Sequence, residues 1–445
     1  MTQSPEHQVP LWRDDRFWKI ALQVLAVVVV VAIASLLIYN LNINMQRAGL
    51  EFGFEFLDNQ ASFDILDSVA PYNVPEETYS SIFPYSPTDS YGRVLQAGLV
   101  NSLIMMVCGI VFTTLVGIIV GVLQFSNNWL LQKGSQLYIE IIRNTPLLLQ
   151  LFFWYSAVFS QLPRPGERLE LVGALYASKR GIFMPWPATS PLMWVSLAAL
   201  IVGTIGLIVL WKWRVYLMVE QGRPGKAQLY GLIGVAIAMI VIFCFGLGWA
   251  FPQELTLDPS QFEANDIEDF TACVAETYQV SSLAPPLSDE AIATYPKCLQ
   301  TGNFEYGLRL SLEFSALLVG LVLYTAAFIA EIVRAGIQSV AKGQWEASSA
   351  LGIYPNLTMR LVVFPQALRV IIPPLNSQYQ NLAKNSSLGA AIAYAELYNV
   401  ANTTYNQSGR PIDVMLIISV TYLAINMVIS LSMNAFNRAV QIKER

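Results

Sequence analysis

An all-α polytopic membrane fold with about eight transmembrane helices is what this sequence predicts, and three observations predict it. Of 445 residues, 54% are hydrophobic and only 13% charged, about half the charged share of an ordinary globular chain. The apolar residues gather into runs long enough to cross a bilayer, which takes about 20 residues as helix. The charges collect between these runs, with lysine and arginine on alternate connections. No alternating apolar pattern suggests a membrane β-barrel.

The runs follow in order. Residues 1–17 are polar, and Ile20 to Tyr39 is the first apolar run. It lacks a small-residue cleavage site and reads as an uncleaved anchor. Residues 40–96 are acidic and rich in aromatics and proline. Leu95 to Gln124 is a second span without charge, residues 125–146 a polar connection, and Leu147 to Phe159 a third entry into the membrane. Residues 162–190 form a loop with proline and arginine. Pro191 to Trp211 and Leu229 to Phe251 are the fourth and fifth spans, and residues 252–306 are a long acidic loop. Leu308 to Ala330 is the sixth span. Val370 to Tyr394 is the seventh, interrupted at Pro373-Pro374 and at Lys384-Asn385-Ser386-Ser387; Ile412 to Phe436 is the eighth.

An even number of crossings puts both termini on one side. With the N-terminus inside, the inner segments hold 16 Lys/Arg and the outer loops 8, so the positive-inside bias makes both termini cytoplasmic. One loop dissents: 162–190 is assigned outside yet carries Arg164, Arg168, Lys179 and Arg180.

Composition removes several functions. The net charge of −5 suggests no nucleic-acid partner, and His7 is the one histidine, which argues against a His-ligated metal or a His-based triad. No cofactor and no metal is expected. Gly222-Arg223-Pro224-Gly225-Lys226 has the wrong spacing for a P-loop, and Ala227 stands where Ser or Thr would hold magnesium. Cys108 and Cys244 lie in apolar runs and are expected to be small buried hydrophobes. Cys273 and Cys298 share the acidic loop 252–306. If that loop faces an oxidising compartment they are candidates for a disulfide, worth roughly 3 kcal/mol by the chain-entropy model.

Two stretches carry candidate chemistry. Charges inside membrane spans are expensive and mark functional positions. Arg309 and Glu313 open the sixth span four residues apart and are expected to form a local pair. Lys384 lies mid-span behind the Pro-Pro break, beside Asn385, Ser386 and Ser387. A broken helix at that depth is tolerated where it lines a cavity, and a cation with small hydroxyls and freed backbone groups could hold an amino acid. The bland alternative is inter-helix hydrogen bonding with Lys384 snorkelling. The second stretch is Glu331 to Pro374. Lys342 to Leu351 are mostly good helix formers, Gly352 suits a left-handed C-cap, and Pro355 suits the first turn of a second helix that Pro365 interrupts. The reading is a helix-break-helix elbow outside the bilayer with Trp345 as its amphipathic handle.

Glu346-Ala347-Ser348, Gly352 after three more residues, then nine residues and Val362-Val363-Phe364-Pro365 resemble the EAA loop of ABC-importer permeases. Ser348 stands for the usual second alanine and Phe364 for the usual leucine. Tyr138 to Leu148, Asn376 to Leu388, and Ala395-Glu396-Leu397 extend the resemblance to polar-amino-acid permeases. It covers roughly residues 93–160 and 303–440, a five-helix type I importer core. The chain is similar to the long members of that group, those for general L-amino acids or for glutamate, glutamine, aspartate and asparagine. On that basis 1–92 is an added tail, anchor and outer loop, 93–161 the first part of the core, 162–306 an inserted pair of spans with an acidic loop, and 307–445 the second part.

The resemblance implies an inner-membrane transport subunit and not an enzyme. Its partners would be two ATPase copies, a second homologous permease, a periplasmic amino-acid-binding protein, an L-amino-acid substrate and membrane lipid. The cytoplasmic loop 331–369 would dock into the ATPase, a short helix laid into a groove, through Gly343, Trp345, Glu346, Ala347, Ser348, Leu351, Gly352 and Pro365. Lys384, Asn385, Ser386 and Ser387 would line the substrate path. An ion-coupled secondary transporter is the alternative. It would explain the broken span but not the spacing at 346–365. A membrane enzyme or scaffold finds no catalytic cluster.

Overall fold

The computed structural model describes residues 15–47, 52–65, 69–71, 83, 85–164, 168–171, 174–187, 190–220, 225–256, 300–305 and 307–440. Cys273 and Cys298 lie outside them. Twelve helices are labelled in chain order among these residues: α1 (Asp15–Arg47), α2 (Tyr91–Leu123), α3 (Trp129–Asn144), α4 (Leu147–Phe152), α5 (Pro191–Glu220), α6 (Lys226–Val241), α7 (Leu312–Gln338), α8 (Lys342–Ala350), α9 (Pro355–Thr358), α10 (Phe364–Asn385), α11 (Leu397–Ser408) and α12 (Pro411–Val440). Six of the described helices are long and apolar enough to cross a membrane, namely α1, α2, α5, α6 with the turn that extends it, α7 and α12. The third and seventh predicted spans are also helical, but the third is short and α10 carries too many Gln, Asn and Ser residues to qualify on composition.

The core is built around α2 and α7, which run parallel. Small residues on α2 let them meet: a Cβ on Gly117 would stand 2.6 Å from Ile329, and one on Gly121 2.8 Å from Val333. Thr113 donates to the Val322 carbonyl between them (3.3 Å). Close approach over small residues is how membrane helices associate when the solvent around them is itself apolar. The α10 helix packs antiparallel to α7, with Gly336 against Ile371 at one end and Gly389 against Leu317 at the other. Antiparallel α12 then covers Leu382 and Ala383 of α10 with Ile425 and Ile429.

The connection expected at 125–146 is a helix. Asn128 caps α3 by accepting from the Leu130 and Leu131 amides (2.9 and 3.4 Å), and α3 lies alongside α7. Tyr138 donates to the Leu323 carbonyl (2.6 Å), and Ile139 is buried on Ala327 and Ala330. Pro146 ends α3, and α4 continues through a π-turn to Gln161. The apolar helix Leu147–Gln161 is therefore preceded by α3, with a break between them at Pro146. The break is repaired locally. Proline at 146 has no N–H for the Ile142 carbonyl, and buried Gln150 donates its Nε2 there instead (2.9 Å) and to the Thr145 carbonyl (3.1 Å).

Pro373 and Pro374 were expected to interrupt the seventh span, and Pro365 the second limb of the elbow. The second limb does change there: α9 ends at Thr358, Met359–Val363 form a π-turn, and α10 starts at Phe364 with Pro365 in its first turn. The Pro-Pro pair makes no break, and α10 runs through it to Asn385. The break comes later: residues Ser386–Ile392 tighten into a 3-10 helix that ends at Ala393, φ +60°. Another helix then forms where an outer loop was expected. Glu396 caps α11, and Gly409 at φ +67° terminates it.

Nine short strands accompany the helices among the described residues. The strands β1 (Val69–Pro71), β2 (Leu169–Glu170), β3 (Tyr176–Ser178), β4 (Gly181–Met184) and β9 (Leu308–Leu310) make one antiparallel sheet in the order β1-β9-β4-β3-β2. Two pairs stand apart, β5 (Trp186–Pro187) with β6 (Trp249–Ala250) and β7 (Gln253–Thr256) with β8 (Gln300–Glu305). The larger sheet explains one departure from expectation. Arg309 is in a strand, not a helix, so its Nε donates to the Arg180 carbonyl (2.9 Å) while Glu313 accepts from Tyr155 (3.3 Å); they do not pair. Of the basic residues of loop 162–190, Arg168 lies over the Tyr176 ring, while Lys179 and Arg180 are exposed in the turn between β3 and β4. Finally, Cys108 is half-buried against the core, but Cys244 is exposed on the turn after α6.

Candidate coupling elbow and translocation face

The elbow is helix, sharp stop, helix. Its stop is a Schellman pattern: the Ile353 amide donates to the Ser348 carbonyl and the Gly352 amide to the Ser349 carbonyl, both at 3.0 Å. Gly352 takes φ +69°, a left-handed conformation that is free only to glycine. Two contacts fasten α8 to the body: Trp345 packs against the cluster holding Ile337, Val340 and Val363, and Gln366 of α10 donates its Nε2 to Gln344 Oε1 (3.2 Å). Ser348 is buried and returns its hydroxyl to the Gln344 carbonyl within α8 (2.7 Å). The rest faces outward: Gly343, Glu346 and Ala347 are exposed, Leu351 is 78% and Tyr354 77% exposed. Pro365 is half-buried at the start of α10. Of the eight predicted elbow residues, Trp345, Ser348 and Pro365 thus face the body, and Gly343, Glu346, Ala347, Leu351 and Gly352 face away from it.

Where α3 lies against α7, a charged cleft is lined by Glu140, Arg143, Phe328, Glu331 and Arg334. Arg334 is paired with Glu331 and donates to Gln338 (3.1 Å), while Arg143 stacks over Phe328.

The α10 helix presents two unlike faces. Ile371, Ile372, Leu375, Tyr379, Leu382 and Ala383 are buried, and Val370, Pro373, Pro374, Ser377, Asn381 and Lys384 form an exposed stripe at helical spacing. The Pro-Pro pair is on the exposed side. Lys384 is exposed, Asn385 and Ser387 half-buried, and Ser386 fully buried. The two serines serve the change of helix type, since Ser386 donates to the Ala383 carbonyl (2.8 Å) and Ser387 to the Lys384 carbonyl (2.7 Å). The structure therefore brings Lys384 to the open face and turns Ser386 inward.

A buried polar cluster went unread in the sequence. Glu396, with no exposed surface, accepts from the Asn399 and Tyr398 amides (2.7 and 2.9 Å), from Tyr422 (2.9 Å) and from Ser102 (3.5 Å). Asn101 donates to the Ala395 carbonyl and Tyr394 to the Asn101 carbonyl. This cluster joins α2, α11 and α12 beside the open face. The period Leu397, Val400, Ala401, Thr404 between Glu396 and Gly409 was the available signal for α11.

Comparison with known proteins meets this geometry. Residues 113–442 match the model of the binding-protein-dependent transport system inner membrane component. The chain belongs to that family. The permease is 36% identical over 95% of its length, and 94% of the other chain, to a putative amino-acid ABC transporter permease protein, YhdX, of Escherichia coli K12. It is 35% identical, over 97% and 94%, to the general L-amino acid transport system permease protein AapQ of Rhizobium johnstonii. The glutamate/glutamine/aspartate/asparagine transport system permease protein BztB of Rhodobacter capsulatus is 32% identical over 97% and 96%. Among solved structures, an amino acid ABC transporter crystallised with histidines matches at 18% identity and a TM-score of 0.41, covering 78% of this chain and 95% of that one.

These long relatives make the permease an amino-acid ABC permease of the long type: a multi-pass transport subunit whose ATP hydrolysis resides on separate subunits, and which works with a binding protein. Nothing in the fold or the comparisons favours the ion-coupled alternative.

Proposed function

We propose that this permease is one membrane half of an ATP-driven importer of polar L-amino acids, acidic and neutral. A second, related permease forms the other half, two ATPase copies bind from the cytoplasm, and a periplasmic binding protein delivers substrate to the opposite face. Both termini are cytoplasmic in this reading, as the lysine and arginine bias indicates. The breadth of substrate follows the names of the full-length relatives, one of them for general L-amino acids and one for glutamate, glutamine, aspartate and asparagine.

One observation carries the reading. The α8 helix is held to the body by Trp345 and by the Gln366–Gln344 hydrogen bond, yet it and the turn after it offer Glu346, Leu351 and Tyr354 to solvent. A short, firmly based helix with a bare outer face suits insertion into a partner's groove. ATP-driven closure of the ATPases would move α8, and with it α7 and α10, so that the path along the exposed face of α10 opens alternately to either side. The inserted residues 162–306 stand outside this core in the proposal.

The test is reconstitution with the cognate ATPase and binding protein. Glu346→Arg, or deletion of Gly352, should reduce ATP-dependent uptake to background and release the ATPase on purification, while the permease level in the membrane stays unchanged. Full uptake with either change would overturn the docking role of α8.

A further inference from the structure

The cleft where α3 lies against α7 has a volume of about 490 Å³, within the range of small-molecule sites, about 300–1,000 Å³. Such sites are mostly apolar; this one is walled by charge. It belongs to the elbow end of the bundle. Glu331 and Arg334 lie near the end of α7, and Gln124, just past the end of α2, donates to the Ala330 carbonyl (3.4 Å). The two walls differ. On the α7 wall the charges are already engaged, since Arg334 donates to both oxygens of Glu331 and to Gln338.

On the α3 wall they are not. Glu140 and Arg143 stand one turn apart and exposed, and among the described residues the side chain of neither forms an ion pair or a hydrogen bond. Opposite charges at this spacing commonly attract each other. Arg143 instead lies over the face of Phe328, 5.3 Å from the ring centre. A guanidinium stacked in this way keeps its N–H edge free, and that edge fits a carboxylate with two parallel hydrogen bonds. The cleft is also distinct from the side that α3 gives to lipid. Leu130, Leu137 and Ile141 make an exposed apolar stripe, whereas Gln136, Glu140, Arg143 and Asn144 make a separate polar one. An anion alone would meet Glu140 and Glu331, and a cation alone Arg143 and Arg334. A small molecule with both charges satisfies the open pair.

We infer that this cleft binds a free amino acid from the elbow side, its α-carboxylate on Arg143 and its α-ammonium on Glu140, as a brake set by imported product; the assignment rests on the import reading above. A ligand held there fills the gap between α3 and α7, and α7 leads directly into the elbow. Occupancy ties the two helices together and resists the motion that α8 passes on. Recognition uses only the two groups that every amino acid carries, so the brake follows the pool of product and not one side chain.

The experiment uses the assembled importer, with its ATPase and binding protein, in phosphatidylglycerol vesicles whose lumen is the ATPase side. L-Glutamine in the lumen should slow the initial uptake of labelled glutamine about fivefold or more, the low end of ordinary coupling between sites. N-acetylglutamine, which lacks the ammonium, and the α-amide of glutamine, which lacks the carboxylate, should not. Arg143→Gln and Glu140→Gln should import at the unaltered rate with an empty lumen and lose the slowing. Hydrogen exchange on the unaltered complex needs no variant: glutamine should protect residues 131–146 and 324–338, and the two derivatives should not. That measurement decides the matter if the variants fail to assemble. Slowing that survives both substitutions, no slowing at all, or protection confined to α10 would each overturn the assignment. So would protection of the cleft that appears with added phosphatidylethanolamine and not with glutamine, which would make the occupant a lipid headgroup. If the unaltered complex fails to import glutamine, the import reading fails; if it imports and luminal glutamine neither slows nor protects, only this site falls.

Discussion

Gln150 and Glu396 show how much of this protein rests on single polar side chains. Gln150 makes the shorter of two hydrogen bonds to the Ile142 carbonyl that Pro146 abandons (2.9 Å, against 3.4 Å from the Thr145 amide) and also holds the Thr145 carbonyl. Gln150→Leu should destabilise the permease by about 1–3 kcal/mol, the range for a buried group left unmade, read as a lowered midpoint of thermal unfolding in detergent. Glu396→Ala removes a helix cap and the acceptor for Tyr422 together. Its loss should exceed the roughly 1 kcal/mol of an ordinary cap by the same assay, and Tyr422→Phe should be milder, since it removes one donor and leaves the cap intact. Lys384 was legible in the sequence because a charge in an apolar run stands out. Glu396 was not, because an acid two residues past a predicted span looks like a loop residue until α2 and α12 close over it.

At the scale of elements, the apolar runs were readable, and so was the break at Lys384–Ser387, where α10 gives way to a 3-10 turn; polar helices were not. The α3 helix was hidden because its polar residues, Gln132, Lys133, Gln136, Glu140 and Arg143, look like a connection, and only the packing of Tyr138 and Ile139 on α7 shows that one face is buried. The Pro-Pro pair misled in the opposite direction: it lies on the exposed face of α10, and the helix continues through it. The elbow was read well, since Gly352 and Pro355 act through local backbone chemistry that needs no tertiary partner. Two element-level outcomes follow. Gly352→Ala should lose about 1 kcal/mol from its left-handed backbone and weaken ATPase binding in a pull-down more than it lowers thermal stability. Gly336→Val would set a side chain 2.3 Å from Ile371; overpacking of this kind costs about 1–3 kcal/mol and should be visible as lower yield of folded permease by size-exclusion chromatography.

At the scale of the whole molecule, α5 and α6 stand as a pair. The α5 and α6 helices pack on one another, with Gly203 against Met239 and Ser196 donating to the Gly246 carbonyl (2.7 Å), and most of their apolar surface is exposed. The strand pair at their base sets Pro187 opposite Trp249. A chain lacking residues 188–248, closed by a two-residue turn, should therefore fold and insert. Removing two crossings keeps the count even, so protease protection of the termini should match that of the full chain. The five-stranded sheet could not be read in advance, because its strands are two to four residues long and come from positions as distant as Val69 and Leu310.

That sheet passes straight into α7, and α7 passes straight into α8. The helix between them has 27 residues and no proline, a stiff rod of about 40 Å at 1.5 Å per residue. A displacement imposed at its strand end and one imposed at its elbow end are thus the same displacement. Linkage then makes the traffic two-way: if a bound nucleotide alters how tightly a delivering protein is gripped at the far end, the delivering protein must alter nucleotide affinity by an equal factor.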